Sequence, residues 1–410
     1  MKLLFYNHTE KVSGAERVLL LILSQLKAQE FACHVLCPRG ALMQAVENKG
    51  VPCQEVEPLE ARFTWRPDQL WRYLRSFLHV VACVRTHVKM LAPDLIHANS
   101  IRAGLVMTAA TMGMRVPVIW HLHDMLPHHP ISTAIRCFAL CFSRLRFLAV
   151  SEATAARFRG TLLRMFPRRI SIRVILNCVD TDVFQPNDTQ RQTSRAELGL
   201  TETQFAIGMI GQITPRKNQQ GLLQAFAQIA PRLPQARLLI AGEPMFTEAD
   251  QQYHQHLLQT ADALGITGQV LWLGARRDVP ELMQALDLLV VNSLAEPCGL
   301  VVLEGLASGL SIIVTAVGGN VELVHHGING WTVPVNENQK LAAAIQTLEQ
   351  LPTLREQLSH NARLSAVQRF TVKMFMKSLR AFYLDSGMPS PVRSPEIRAK
   401  LPRQQPSSEP

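Results

Sequence analysis

The sequence has few features that would assign it to an oxidising compartment or to a membrane. Its eight cysteines include no C-x2-C pair, so we predict neither a zinc motif nor a disulfide framework, and a reducing compartment is the simpler inference. Arginine or proline interrupts every long apolar stretch, so we expect no membrane-spanning helix. The apolar start MKLLFYN is too short for a signal-peptide core and is typical of a first strand.

Acidic residues are scarce in two regions of the first half, 61–90 and 136–173, and these regions concentrate much of the formal net charge of +10. The first region mixes aromatic and basic residues as interfacial helices do. The second region is strongly basic, so both regions are candidates for peripheral contact with anionic lipid. In an open alternative, the aromatic residues pack into the core and the arginines form its solvated face. No recognised binding motif accompanies the charge, so we do not expect nucleic acid as a partner.

Strand and helix patterns alternate along most of the 410 residues, which at 47% hydrophobic content are enough for two domains with full cores. Apolar strands separated by helix-length segments predict an α/β fold with parallel sheets. The predicted strands are 2–6, 32–36, 94–97, 118–122, 147–150 and 172–175 in the first half, and 205–210, 238–241, 270–273 and 288–291 in the second.

The stretch from Val290 to Glu322 is the most informative part of the chain. A predicted strand is followed by the loop NSLAEPCG, and LVVLEGLA then resumes at helical spacing. Such a loop lies at the edge of an open α/β sheet where ligands bind, and the N-terminus of the next helix attracts phosphate. Glu296 in the loop and Glu304 on the helix therefore favour a ligand with hydroxyl groups as well as phosphates, such as a nucleotide sugar. The alternative is two solvated charges beside a core helix.

This stretch resembles the donor site of the family 4 retaining glycosyltransferases. EPCGLVVLE keeps the E-x7-E spacing of that family, and VGGNVE follows it. The resemblance implies that Glu304 holds the ribose of the nucleotide and that Glu296 contacts the transferred sugar. It also implies a donor pocket lined by the backbone of Gly299, Leu300, Gly318 and Gly319.

Two other loops extend the resemblance. In GQITPRKN, Lys217 matches the lysine that neutralises the donor diphosphate. Arg216 is a candidate substitute for an arginine that the family often has where this chain has Gln212. Near the start of the chain, Gly14 keeps one glycine of the family's Gly-Gly pair, and Ser13 replaces the other. We expect the backbone at Gly14 to approach the donor or the acceptor.

The strand 118–122 runs into the sequence HLHD, which ends at Asp124. Histidine and aspartate are common metal ligands, but no distant partner completes a ligand set, so we predict no metal site. The resemblance implies instead that His123 and Asp124 face the cleft and that His123 positions the donor sugar. For His121, a core histidine satisfied by the backbone remains an open reading.

The resemblance implies the GT-B fold, in which two Rossmann-like doubly wound domains face a central cleft. The predicted parts are an acceptor domain over 1–186, a donor domain over 187–367, a helix over about 368–385 that packs back on the first domain, and a disordered tail over 387–410. Polar residues 187–195 predict an interdomain linker. Cys178 stands where the family usually has glycine, which costs about 1 kcal/mol if the position needs a positive φ.

The resemblance implies a retaining glycosyltransferase that moves a sugar from a UDP-, GDP- or ADP-sugar to an acceptor hydroxyl, in polysaccharide, lipopolysaccharide or glycolipid synthesis. Lys217 and Arg216 would stabilise the leaving diphosphate, so we expect neither a metal nor another cofactor. We expect a glycan or lipid-linked acceptor and a cytoplasmic protein at the inner membrane face. A nucleotide-sugar epimerase and a non-catalytic GT-B accessory subunit stay open as alternatives. The second rests on Gln212, Ser13 and Cys178, which depart from the common pattern.

Overall fold

Two parallel β-sheets, one in each half of the chain, form the framework of the molecule. The structure is a computed structural model that describes residues 1–387 except 28, 60–66, 167–168 and 246, and for 67–70 it describes the backbone alone. The predicted tail lies almost entirely outside the described residues.

The first sheet contains seven strands, β1 (Lys2–Tyr6), β2 (Ala32–Cys37), β3 (Cys53–Glu55), β4 (Leu95–Ala98), β5 (Val118–Leu122), β6 (Leu145–Ala149) and β7 (Ile172–Val174). Every pair is parallel, in the order β3-β2-β1-β4-β5-β6-β7. The helices between them are α1 (Gly14–Gln25), α2 (Ala41–Glu47), α3 (Pro67–Leu91), α4 (Ile101–Ala110), α5 (Pro130–Leu140) and α6 (Glu152–Arg164). Helices cover both faces of the sheet, so its central strands are buried on both sides.

The second sheet contains six strands, β8 (Phe205–Ile210), β9 (Ala236–Ala241), β10 (Val270–Gly274), β11 (Leu288–Val291), β12 (Ser311–Thr315) and β13 (Trp331–Val333). Every pair is again parallel, in the order β10-β9-β8-β11-β12-β13. Its helices are α7 (Asp188–Glu197), α8 (Gln219–Ile229), α9 (Glu248–Ala263), α10 (Val279–Ala285), α11 (Leu300–Ala307), α12 (Asn320–Leu323), α13 (Asn338–Gln350) and α14 (Pro352–Arg369). The predicted α/β fold with two doubly wound domains is confirmed.

The chain crosses between the two sheets twice, and the two crossings lie side by side. Val179 and Thr371 form an isolated parallel bridge, and the amide of Val179 donates to the carbonyl of Phe370 at 2.9 Å. After the second crossing, α15 (Val372–Gly387) packs on the first sheet. Its Tyr383 is fully buried in the same cluster as Phe5 of β1.

One expectation from the sequence is wrong, and the condition attached to another is not met. Residues 187–195 do not form a linker, because they lie in α7 and its N-cap. Arg195 fastens α7 to the second domain. It is fully buried, it donates to the carbonyls of Thr201 and Gln204, and it pairs with Asp287 at 3.3 Å. Cys178 needs no left-handed backbone, since the described non-glycine residues with positive φ are Ala92, Asn218 and Asn336. The expected cost of cysteine at that position is therefore absent.

Each sheet reverses its strand order at one point, between β1 and β4 in the first and between β8 and β11 in the second. Ligands of open α/β sheets bind beyond the carboxyl ends of the strands at such a point. The predicted site loops leave β8 and β11, so the second sheet places them at its own reversal.

Candidate active site

The loops that follow β8 and β11 are fastened to each other. Pro215–Lys217 forms a short 3₁₀ turn, and Asn218 then takes a left-handed conformation with φ of 56°. The amide of Leu294 donates to the carbonyl of Arg216 at 2.8 Å, and Asn292 Nδ2 donates to the carbonyl of Asn218 at 3.1 Å. These bonds bring a basic loop and an acidic loop together.

Glu296 and Lys217 form a close ion pair at this junction. Lys217 Nζ donates to Glu296 Oε2 at 2.6 Å, Ser293 Oγ donates to the same oxygen at 3.0 Å, and Arg216 Nη1 lies 4.0 Å from Oε1. The two paired side chains are only 7% and 13% exposed. Burial acts to raise the pKa of Glu296, but Lys217, Arg216 and Ser293 outweigh it and hold the pKa below its usual value. Glu296 is therefore a carboxylate at neutral pH.

The Gly-Gly pair lies against the backbone of the acidic loop. The amide of Gly319 donates to the carbonyl of Glu296 at 2.8 Å. Gly318 has φ of +54°, and a Cβ atom built on it would overlap that same carbonyl. A Cβ built on Gly319 would overlap the carbonyl of Pro297. Only glycine permits this approach at both positions, and the approach fixes the shape of the loop.

Glu304 lies on α11 and faces the first domain. Arg17 of α1 reaches it, with Nη1 at 3.8 Å from Glu304 Oε1. Gly14 begins α1, and a Cβ on it would lie 3.6 Å from Leu300 Cδ1. The N-termini of α1 and α11, which follow Ser13 and Gly299, therefore adjoin each other where the two domains meet. Burial raises the pKa of Glu304, and the charge of Arg17 partly opposes this effect.

His123 belongs to an array of rings in the first domain, in which His97, His121 and Tyr383 are fully buried and His123 itself is half-buried. Its Nε2 lies 3.2 Å from Asn99 Oδ1, and its ring lies 3.8 Å from that of His121. His121 Nδ1 lies 3.1 Å from His97 Nε2, and His97 Nδ1 lies 2.8 Å from the hydroxyl of Tyr383. Burial lowers the pKa values of His97 and His123 to about 3 and that of His121 well below its usual value. All three rings are therefore uncharged at neutral pH.

Residues after β5 connect this array to the donor loops. A Cβ built on Gly318 would lie 2.6 Å from Met125 Cε, so the two domains touch beside Glu296. Asp124 is exposed, but the protein atoms around it raise its pKa, and the charges of Arg216 and Arg102 oppose this rise. Asp124 therefore lies within the electrostatic reach of a basic residue on the other domain.

The structure places most of the predicted residues where the two domains meet. The second domain contributes Arg216, Lys217, Glu296, Gly299, Leu300, Glu304, Gly318 and Gly319, and the first contributes Gly14. His123 connects to this region through Asn99, whose Nδ2 donates to the carbonyl of Ala15 at 3.3 Å. The sequence reasoning missed Arg17, Asn99, Ser293 and Met125. Arg17 and Ser293 had a signal, because Arg17 lies one helical turn beyond Gly14 and Ser293 lies three residues before Glu296. Within the described part of the chain, no three His, Cys, Asp or Glu side chains are grouped as metal ligands.

The exposed face of α3 carries an apolar stripe. Trp71, Leu74 and Leu78 are 68%, 43% and 58% exposed, at a spacing of three and four residues. Tyr73 and Phe77 pack against the core instead. Lipid contact and packing into the core, the two interpretations of the first basic region, therefore each fit part of it. Residues 61–66 of that region lie outside the described residues. No described helix is long and apolar enough to cross a bilayer.

Several arginines of the two basic regions serve the first domain itself. Arg85, Arg136, Arg144 and Arg157 each donate to backbone carbonyls at 2.7 to 3.0 Å. In the region 136–173, these bonds favour the structural reading for at least three arginines.

Comparison with known proteins agrees with this architecture. Residues 12–183 match the family described as Glycosyltransferase Family 4, and residues 190–365 match the family described as Glycosyl transferases group 1. Anabaena HepE, solved in complex with UDP-glucose, is 27% identical and superposes with a TM-score of 0.80 over 94% of this chain and 100% of that chain. This likeness confirms the predicted GT-B fold.

Two curated relatives match in sequence. A putative glycosyltransferase, EpsD of Bacillus subtilis, is 30% identical over 264 residues, which are 64% of this chain and 65% of that protein. A D-inositol 3-phosphate glycosyltransferase of Mycobacterium marinum is 35% identical over 203 residues, which are 49% of this chain and 41% of that protein. The chain therefore spans less than two thirds of the length of either relative. With both of its halves matched, the chain belongs to the family 4, or group 1, glycosyltransferases.

Proposed function

We propose that the protein is a retaining glycosyltransferase that transfers a sugar from a nucleotide-diphospho-sugar to an acceptor hydroxyl. The observation that carries the proposal is the buried pair of Lys217 and Glu296 at 2.6 Å, beside the N-terminus of α11. A cation and a carboxylate beside the first amides of a helix suit a ligand with both phosphates and hydroxyls. HepE was solved with UDP-glucose, which supports a UDP-sugar as the first donor to test.

The donor would lie with its nucleotide toward α11. Glu304 accepts hydrogen bonds from the ribose, and the backbone of Gly299 and Leu300 faces the phosphates. The transferred sugar then lies beside Glu296, whose low pKa keeps it an acceptor for sugar hydroxyls. The pair of Lys217 and Glu296 has to loosen when the donor enters, because the lysine then divides its donors between the carboxylate and the diphosphate.

The chemical step needs charge stabilisation more than a proton carrier. The nucleotide diphosphate gains negative charge as the glycosidic bond breaks, and Lys217, Arg216 and the helix amides stabilise that charge. This chain's own cations supply the role that a divalent metal has in other transferases, so we propose a reaction without metal or further cofactor. The acceptor hydroxyl attacks from the face that the diphosphate leaves, and the departing phosphate oxygen takes its proton, which retains the anomeric configuration.

His123 would help to position the sugar rather than exchange protons. Its pKa of about 3 leaves the ring neutral, and its Nε2 is already close to Asn99 Oδ1. A neutral ring held by an amide is a fixed hydrogen-bonding group. This fits a positioning role for His123 on the first domain.

The experiment that tests this function is a transfer assay with UDP-, GDP- and ADP-sugars and a panel of glycan and lipid-linked acceptors. Proton NMR of the product then gives its anomeric configuration. Retention together with loss of transfer in Glu304→Ala supports the proposal. Inversion contradicts the mechanism, and an altered donor without any transfer product indicates an epimerase instead.

We propose that the first domain binds an anionic membrane surface through α3, at the cytoplasmic face where a lipid-linked acceptor of polysaccharide, lipopolysaccharide or glycolipid synthesis would be presented. The exposed stripe of Trp71, Leu74 and Leu78 is flanked by the exposed Arg72 and Arg75. Apolar side chains between cations suit the boundary between headgroups and acyl chains. Binding to the surface would place the cleft near such an acceptor.

Sedimentation with vesicles of phosphatidylglycerol and phosphatidylcholine tests the membrane proposal. The protein should sediment with anionic vesicles, and Leu78→Glu should weaken binding severalfold. Leu351→Glu, at a residue 50% exposed on the other domain, is the matched control and should bind normally. Equal binding of both variants would contradict a role for α3.

A further inference from the structure

Helix α6 of the first domain receives half of its N-terminal cap from the second domain. A helix leaves its first amides without partners inside the helix, and these must be satisfied from outside. Ser151 Oγ accepts from the amide of Thr154 at 3.0 Å, and the carbonyl of Ser151 accepts from Ala155 at 3.0 Å. The amides of Glu152 and Ala153, which precede that of Thr154 in the first turn of α6, need another acceptor.

Glu322 supplies that acceptor from 170 positions away. Its Oε2 accepts from the amide of Glu152 at 2.9 Å, and its Oε1 accepts from the amide of Ala153 at 2.9 Å. Both carboxylate oxygens are used, and a negative charge is favourable at the positive end of a helix dipole. The contact is therefore a two-point, charge-assisted cap between domains.

The residues around Glu322 lead directly to the donor loop. Glu322 lies three residues beyond Gly319, whose amide holds the carbonyl of Glu296 at 2.8 Å. In the same region, Thr154 Oγ1 donates to the carbonyl of Pro297 at 3.5 Å. A movement of α6 away from Glu322 would thus also move the first domain away from the loop that carries Glu296.

The backbone of Glu322 is also fastened near the crossings between domains. Arg369 Nη2 donates to the carbonyl of Glu322 at 3.2 Å. Arg369 ends α14, directly before the bridge between Val179 and Thr371. Arg369 therefore anchors the backbone of the capping residue Glu322 within the second domain, next to the crossings that join the two domains.

We propose that Glu322 is a positioning residue, which caps α6 from the second domain and so fixes the Glu296 loop relative to the wall that carries His123. The inference rests on the proposed transferase function for its effect on rate, but the cap itself does not depend on it.

Hydrogen exchange measured by mass spectrometry tests the cap directly. In Glu322→Ala, the amides of the peptide 151–156 should lose protection. In Glu322→Gln, the amide oxygen can accept one of the two bonds, so protection should be intermediate. Glu202→Ala, at an exposed glutamate of the second domain, should leave the peptide unchanged. Unchanged exchange in Glu322→Ala would overturn the proposal.

Kinetics separate positioning from a purely structural role. The donor contacts proposed above lie mainly in the second domain, so nucleotide affinity of Glu322→Ala should stay within about twofold of the parent value. The transfer kcat should fall on the order of tenfold to a hundredfold, because misplacement of reacting groups by about 1 Å costs this much. A kcat that rises from the alanine variant to the glutamine variant to the parent protein supports the proposal. Lost amide protection of the peptide 151–156 with an unchanged kcat would overturn the positioning role.

Two further outcomes keep the test decisive. If Glu322→Ala fails to fold, Glu322→Gln carries the same comparison. If the parent protein transfers no sugar, the proposed function fails by itself, and small-angle scattering then decides the inference. A larger radius of gyration in Glu322→Gln than in Glu202→Ala supports a cap that holds the domains together, and equal radii overturn it.

Discussion

Lys217 Nζ lies 2.6 Å from Glu296 Oε2, with both side chains largely buried at the reversal point of the second sheet. The pair explains how a carboxylate remains ionised in a buried position beside a predicted phosphate site. It also makes the two residues interdependent, because removal of either leaves the other buried without its main partner.

We expect Lys217→Ala to lower the transfer kcat about 10²- to 10³-fold, since it removes a main cation near the developing diphosphate charge. Steady-state kinetics with a saturating donor measure this. Lys340→Ala is the control, because Lys340 is 61% exposed and forms a long ion pair with Glu337, at 3.9 Å. Similar kcat values for the two variants would contradict the role given to Lys217.

Glu304→Gln should weaken nucleotide binding and stabilise the fold at neutral pH. Burial raises the pKa of Glu304, so between its unfolded and folded pKa values the folded state binds more protons than the unfolded state. The contribution of Glu304 to stability therefore falls as the pH rises from its unfolded pKa to its folded pKa. Above the folded pKa, the folded state carries the full free-energy penalty of burying the ionised carboxylate. Glutamine removes the penalty.

Thermal unfolding of Glu304→Gln and the parent protein at several pH values tests this sign. The variant should have the higher Tm at pH 7, and the difference should shrink toward pH 4. A variant that is less stable at pH 7, or a difference independent of pH, would show that the carboxylate is stabilised rather than strained in the fold.

Gly318→Ala should impair both stability and activity, while Gly327→Ala should impair stability alone. Both glycines have positive φ, +54° and +72°, so alanine costs about 1–2 kcal/mol at each. Only at Gly318 would the Cβ also overlap the carbonyl of Glu296, whereas nothing lies within 4 Å of a Cβ at Gly327. Urea unfolding and kcat measured on the pair separate the two effects. Equal loss of activity would contradict the close packing at Gly318.

Tyr383→Phe should cost about 1–3 kcal/mol, because it leaves Nδ1 of the buried His97 without its partner. The folded pKa of His97 is lowered from 6.5 to about 3, so the unfolded state binds more protons between these values. Stability should therefore rise with pH from about 3 to 6.5 and level off above. Urea unfolding across this range measures both effects, and a flat profile would contradict a buried neutral ring.

The sequence predicts the framework well because parallel strands are buried on both faces and appear as short apolar runs. It fails for β3, which has only three residues at a sheet edge. It also misses β12, although that strand is apolar and fully buried, because β12 lies between two motif segments. The polar α7 was interpreted as a linker because Arg195 gains its partners only in the folded chain.

The donor motifs could be predicted because their residues are close in sequence. Lys217 and Glu296 were both predicted, but their direct bond was not, since it joins positions 79 residues apart. Asn99 and Glu322 gain importance only through contacts with residues far along the chain, whereas Ser293 lies three residues before its partner Glu296. No local spacing encodes the contacts of Asn99 and Glu322.

The central claim is that one cleft holds a nucleotide sugar between Glu304 and the pair of Lys217 and Glu296. Calorimetric titration with UDP-, GDP- and ADP-sugars tests it most directly, on the parent protein and on Glu304→Ala. We predict saturable binding of at least one donor and about tenfold or greater weakening in the variant, as expected for loss of hydrogen bonds to a charged group. Binding of none of them, or equal affinity in the two proteins, would contradict the account.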